Sequence, residues 1–206
     1  DFAAASRALV ELVWEERYAE AVAFVAVDAP RRICTVQVVM PASFDVEPTA
    51  QPTLGEVLAG QARAVDAIHG QVIPANLGLA EAELVLAGKI GREVTLRNAL
   101  RDVKRRHDII LIDCPPTLGL LTVNALVAST HALLSTQAQH FSLQGVEQAM
   151  QIFDLARDTL NPELELLGVL LNIANMRTRH ARETLAALAP TCALAWCSSA
   201  WAARTS

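Results

Sequence analysis

Residues 107–126, HDIILIDCPPTLGLLTVNAL, decide how the chain folds. Ile109 to Ile112 are apolar without a break, which suits a strand buried on both faces, as in a parallel sheet. Asp113 closes that run, and a carboxylate at the end of a parallel strand stands where open α/β sheets take their ligands. Pro115 and Pro116 continue neither a ladder nor a helix, because each fixes φ and lacks a donor. Thr117 is then placed to cap a helix over Leu120–Val127. Strand, terminal carboxylate, rigid turn and helix suit an acid that faces a phosphate or a metal-bound water. An apolar run plus one Asp, taken alone, more often marks an ordinary strand end.

The rest of the chain frames that stretch. Its 206 residues suit a single domain, 1–206, with a sizeable core. With 52% hydrophobic and 19% charged residues it is neither disordered nor dependent on disulfides. Cys34, Cys114, Cys192 and Cys197 lack the pairing of a zinc site, so reduced thiols are expected. No 18-residue apolar span and no basic-then-apolar leader occurs, which makes a soluble cytoplasmic protein without a membrane partner the default. A net charge of −5 gives no global attraction to nucleic acid, so DNA binding would need a local basic patch. Between Lys89 and Arg106 seven Lys or Arg stand against Glu93 and Asp102. Arg92–Arg106 reads as one helix, whose basic face suits DNA or, more simply, solvent. No Ser-His-Asp spacing, HExxH or paired carboxylates point to acyl transfer or metal hydrolysis.

Strands are expected at 22–27, 33–39, 71–74, 108–112, 132–136 and 166–173, alternating with helices. Such alternation gives a mostly parallel sheet with helices on both faces. A helix is expected over Ala3–Ala21, a capping box joins Thr53 to Glu56, and a short helix covers Val65–Ile68. Ser142 caps a long helix through Thr159, its apolar side formed by Leu143, Val146, Met150, Phe153 and Leu155. Asn161-Pro162 ends it.

IILIDCPPTLGLLTVNAL (109–126) resembles the Walker B segment of ParA/Soj-type partition ATPases, relatives of MinD among the deviant P-loop NTPases. Other stretches fall in the same order: PTLGEVLAG (52–60) resembles the family's PTLYDVL helix, and VIPAN (72–76) its LLPSN strand end. LAEAEL (79–84) resembles LAGAE, QHFSLQGVEQAM (139–150) resembles EYFALEGVSQL, and MRTR (176–179) resembles MYDxRT. The likeness runs over about residues 52–189 and leaves 1–51 and 190–206 atypical. It implies a P-loop NTPase-like three-layer sandwich, incomplete at both ends.

The resemblance also implies roles. Asp113 would hold the water shell of the nucleotide's Mg²⁺, a reading that DCPP followed by LGLLTVNAL sets above an ordinary strand-end Asp; Asn172 would face the adenine, and is equally a strand-end residue satisfying local groups. Asp28, at the end of the first apolar run, matches the family's catalytic aspartate faintly, and an ordinary strand-end Asp is the simpler reading. Arg177, Arg179 and Arg182, with His180, form a compact basic cluster where relatives contact DNA without sequence preference, or else an ordinary helix-start charge. Family members bind ATP with Mg²⁺, form homodimers, coat nonspecific DNA and respond to a ParB-type partner, which places them in the cytoplasm on the nucleoid. They segregate chromosomes or plasmids.

One departure limits the carry-over. The family's loop needs glycines whose backbone N–H groups converge on phosphate, and a lysine that reaches it. Here no glycine precedes Gly55 and no lysine precedes Lys89. The expectation is therefore a truncated or degenerate partition ATPase with weak or no ATP hydrolysis. The alternatives are a non-enzymatic, ATPase-like scaffold that binds DNA or a ParB-type partner, and a shifted reading frame.

Overall fold

A computed structural model describes residues 22–27, 33–37, 50–114, 117–137, 142–172, 179, 186 and 195–197. Its elements run β1 (Val22–Val27), β2 (Ile33–Gln37), α1 (Leu54–Ala59), β3 (Val72–Ile73), α2 (Gly78–Ala87), α3 (Thr95–Ala99) and α4 (Arg101–Lys104). They continue β4 (Ile109–Cys114), α5 (Leu120–Ala128), β5 (His131–Gln137), α6 (Ser142–Thr159), β6 (Glu165–Asn172) and β7 (Ala195–Cys197). The strands form one sheet in the order β3-β2-β4-β1-β5-β6-β7. Six of the expected strands form within two residues or so of their expected ends, and β7 is an addition. The helix expected over Ala3–Ala21 lies outside the described residues.

The sheet is mostly parallel, with one strand reversed. β4 runs parallel to β2, β5 to β6 and β6 to β7, whereas β1 is antiparallel to both β4 and β5. The physical reason lies in the link. Only residues 28–32 separate β1 from β2, and a parallel return needs a crossover of a dozen residues or more. Val27 and Ile33 both stand opposite Ile109, on either side of β4, so five residues suffice to step across that strand's end and come back reversed.

One core holds the described helices against the sheet. Ile110, Ile112 and Cys114, on one face of β4, are almost wholly buried and cluster with Leu54, Leu96, Leu100, Leu121, Leu126 and Phe153. Leu111 and Leu133 are buried on the opposite face. A Leu or Phe in such a core is worth about 2–5 kcal/mol against Ala.

Local sequence chemistry explains both ends of α1. Thr53 and Glu56 form the expected capping box at α1: the backbone N–H of Thr53 donates to the Glu56 carboxylate at 2.9 Å. Burial alone would raise the Glu56 pKa, but the Thr53 hydroxyl and N–H bonds override it and leave it lowered. Gly60 ends α1 at φ 82°, a left-handed position that a side chain would strain. Four local expectations change. Val65–Ile68 is a short 3₁₀ turn at Ala64–Asp66, and the single helix over Arg92–Arg106 is a 3₁₀ turn followed by α3 and α4. Thr117 is not the cap of α5: Gly119 is, while the Thr117 carbonyl accepts the Thr122 hydroxyl at 2.6 Å. On α6, Val146 and Phe153 are buried as expected, but Leu155 is 59% exposed and Ala156 takes its inward place.

Candidate functional site at the carboxyl edge

Asp113 is the next-to-last residue of β4 and stands opposite Gln37, the last residue of the parallel β2. It therefore lies at the carboxyl edge of the sheet. Its neighbours Ile112 and Cys114 turn into the core, so strand alternation points Asp113 to the other face, where it is half-buried. Burial raises its carboxyl pKa from 3.8 to about 6. No hydrogen bond or ion pair reaches it among the described residues. Burial, and then the Asp113 charge, push the Cys114 thiol well above its usual range, so it stands as a protonated thiol in the core.

The walls of this edge come from the segments on either side. The turn after β4 runs through Gly119, where an added Cβ would come within 3.1 Å of a Glu83 carboxylate oxygen on α2. That close approach seats the turn against α2. Asn124, inside the apolar helix α5, is fully buried. Its amide donates to the Arg92 carbonyl at 2.8 Å and the Leu120 carbonyl at 3.1 Å, and accepts the Leu96 N–H at 3.1 Å. It thus ties α5 to the start of α3. Lys89 donates to the Leu58 and Ala59 carbonyls at 3.2 and 3.0 Å, closing the end of α1. The positioning roles of Asn124 and Lys89 were not read from the sequence; for Asn124 a lone Asn amid LLTVNALVA was the available signal.

The other candidate residues separate. Asn172 ends β6 opposite Gln137, at the same carboxyl edge as Asp113. It is three strand positions away, roughly 14 Å across the sheet. Arg179 is exposed in a helical stretch and has a partner. Asp28, Arg177 and Arg182 lie outside the described residues. β1, the strand that leads to Asp28, closes opposite Ile109, at the far end of β4 from Asp113.

A half-buried carboxylate with no neutralising partner among the described residues suits a cation held through its water shell. Mg²⁺ characteristically keeps several waters and takes one or two carboxylates plus phosphate oxygens.

Comparison with known proteins agrees with this architecture. Residues 29–166 match the AAA-domain family. The chain is 41% identical over 129 residues to the sporulation initiation inhibitor protein Soj of Bacillus subtilis, covering 60% of this chain and 51% of Soj. It is 41% identical over 115 residues to the chromosome partitioning protein ParA of Myxococcus xanthus, covering 56% and 41%. It thus spans between about two-fifths and half the length of these relatives. Among solved structures, cobyrinic acid a,c-diamide synthase from Mycobacterium smegmatis, with bound ATP analogue and magnesium, superposes with TM-score 0.72 at 32% identity. The superposition covers 78% of this chain and 70% of that one. No described helix is long and apolar enough to cross a membrane.

Proposed function

We propose that this chain, which belongs to the AAA-domain family of ParA- and Soj-type partition proteins, is a partition ATPase domain with a weakened grip on its nucleotide. The single observation behind the reading is Asp113: a desolvated carboxylate, without a neutralising partner among the described residues, at the carboxyl edge of a parallel sheet. Asp113 would hold the water shell of Mg²⁺, and Asn172 would meet the base at the far side of the edge. Bound Mg²⁺ supplies charge to the phosphate oxygens. The protein's part is to position those oxygens and exclude water. The weakness comes from the same 206 residues: the N-terminal portion carries no phosphate-cradling glycine and no lysine. β1 is reversed as well, so a loop following it would leave the sheet at the edge opposite Asp113.

Dimerisation would use exposed apolar side chains: Leu77 just before α2, Leu84 and Val85 within it, and Leu118 of the turn. Nonspecific DNA would meet Arg177, Arg179 and Arg182, and a ParB-type protein would act on the assembled dimer. Asp28 would be a catalytic aspartate only in a chain whose β1 turned round. A scaffold that binds DNA or a ParB-type partner without turnover is the second reading, and the missing lysine favours it.

Calorimetric titration of the full chain with Mg-ATP tests the proposal. The expected result is no micromolar binding, with any weaker binding dependent on Mg²⁺ and lost in Asp113→Ala. Micromolar binding abolished by Asp113→Ala would overturn the weakened grip. Binding indifferent to Asp113→Ala would overturn the role of Asp113.

A further inference from the structure

The chain segregates its charge. Lys89–Arg106 holds seven basic and two acidic residues, leaving ten basic against twenty acidic in the rest of a molecule whose net charge is −5. The structure places much of that positive charge on one exposed surface. Within α3 and α4, Leu96, Leu100 and Val103 point into the core. Arg97, Arg101 and Lys104 recur at the same helical spacing one position round, and all three are exposed, as are Arg105 and Arg106. At 1.5 Å per residue, Arg97 to Arg105 spans about 12 Å.

Little neutralises this stripe. Arg97 and Lys104 have no hydrogen bond or ion pair among the described residues. Arg101 donates only to the neutral Asn98 side chain, at 3.2 Å. Arg105 meets Asp102 at 3.4 Å in a pair whose side chains are 75% and 57% exposed, an arrangement that contributes little. Arg106 lies in the field of Asp66, which already pairs with Arg63 at 2.8 Å.

We infer that this α3–α4 stripe is a second docking surface for double-stranded DNA, gripping the phosphate backbone without reading sequence and without nucleotide. Three features favour that partner. The cations are spread along a line rather than converged on a point, which suits a repeating polyanion and not a single small anion. No large apolar side chain is exposed between Arg97 and Arg106, so nothing there would insert into an anionic bilayer. No aromatic residue lies in that stretch on which unpaired bases would stack, which disfavours single strands. The Arg106 end of the stripe leads into the start of β4, the end away from Asp113, and the stripe shares no residue with the arginines at 177, 179 and 182.

The test uses the full chain, a short random-sequence DNA duplex and a series of salt concentrations without ATP. Arg97→Gln with Lys104→Gln removes two unpaired, exposed charges and should leave the thermal midpoint in place. Each lost phosphate contact lowers the slope of log K against log salt by about 0.9, so the double variant should lower it by about two. The same relation gives a loss of affinity of roughly tenfold to a hundredfold at about 0.1 M salt. Unchanged slope and affinity in this variant, with loss in Arg179→Gln, would overturn the second surface and leave the proposed DNA contact of the C-terminal arginines standing. Binding to vesicles containing anionic lipid, lost in the double variant while DNA binding is untouched, would also overturn it.

Discussion

β4 and β1 lie side by side at the centre of the sheet and are made of the same kind of residue, yet they run in opposite directions. IILI and VAFVAV both announce burial, because an unbroken apolar run needs cover on both faces. Neither run carries its own direction. The connections do. β4 is preceded closely by α4 and followed by a turn into α5, so it enters the sheet as one step of a helix-strand alternation. β1 is tied to β2 by residues 28–32 alone, too few for a crossover. The lesson bears on function, because a nucleotide edge needs its loops to converge. β4 delivers Asp113 to the carboxyl edge, while β1 delivers its own end to the opposite one.

The strongest way to break this contrast is covalent. The antiparallel register sets Val22 opposite Cys114, and directly opposed residues on antiparallel strands have Cα atoms about 4.5–5.5 Å apart, within disulfide range. Val22→Cys should therefore crosslink to Cys114 under mild oxidation, read as a mobility change on non-reducing gels that Cys114→Ala removes. Val27→Cys should not. Crosslinking by Val27→Cys in place of Val22→Cys would mean that β1 runs parallel, and the contrast would vanish.

A smaller effect sharpens the β4 side. Asn124→Ala leaves the Leu96 N–H and the Arg92 and Leu120 carbonyls without their buried partner. Unsatisfied buried polar groups cost about 1–3 kcal/mol apiece. Some of that is recovered by local adjustment, so a net loss of about 3 kcal/mol is expected in denaturant unfolding. A loss under about 0.5 kcal/mol would show that α5 and α3 hold together by apolar packing alone.

How much of this was legible follows from which signals are local. Six strands were readable because each is an apolar run bounded by breakers, and the capping box because Thr53 and Glu56 lie within one turn. Asp113 was readable for the same reason: run, acid and proline pair are contiguous. β7 was not, since three residues are too few to show a period and its pairing with Val169–Leu171 is set by the sheet. The reversal of β1 was implicit in a link length that the resemblance to a helix-connected family masked. Thr117 misled because a threonine ahead of a helix suits a cap, while Gly119 reached the position first. Leu155 misled because side-chain hydrophobicity outranks Ala in any sequence reading, though the close face of α6 admits the smaller Ala156. Asn124 depends on Arg92 and Leu96, some thirty residues away, and nothing nearby in sequence announces them.

The smallest effect bears on the site itself, and its sign is opposite to that of Asn124. The Asp113 carboxyl titrates at about 6 in the folded chain and near 3.8 when unfolded. Between those values the folded state binds more protons than the unfolded state, so stability falls as pH rises through roughly 4 to 6 and then levels off. The full shift corresponds to about 3 kcal/mol, and the solvent that reaches a half-buried group reduces this to about 2 kcal/mol. Asp113→Asn removes the charge and should stabilise the chain by that amount at pH 7. At pH 4 variant and parent should unfold at nearly the same denaturant concentration. Mg²⁺ adds a second handle: a cation at Asp113 lowers its pKa and flattens the slope in the parent, while the Asn variant ignores the ion. An Asp113→Asn chain that is less stable than the parent at pH 7 would mean that a hydrogen bond or a cation already neutralises the carboxylate. Then β4 would present a structural acid at the carboxyl edge, and its contrast with β1 would concern topology alone.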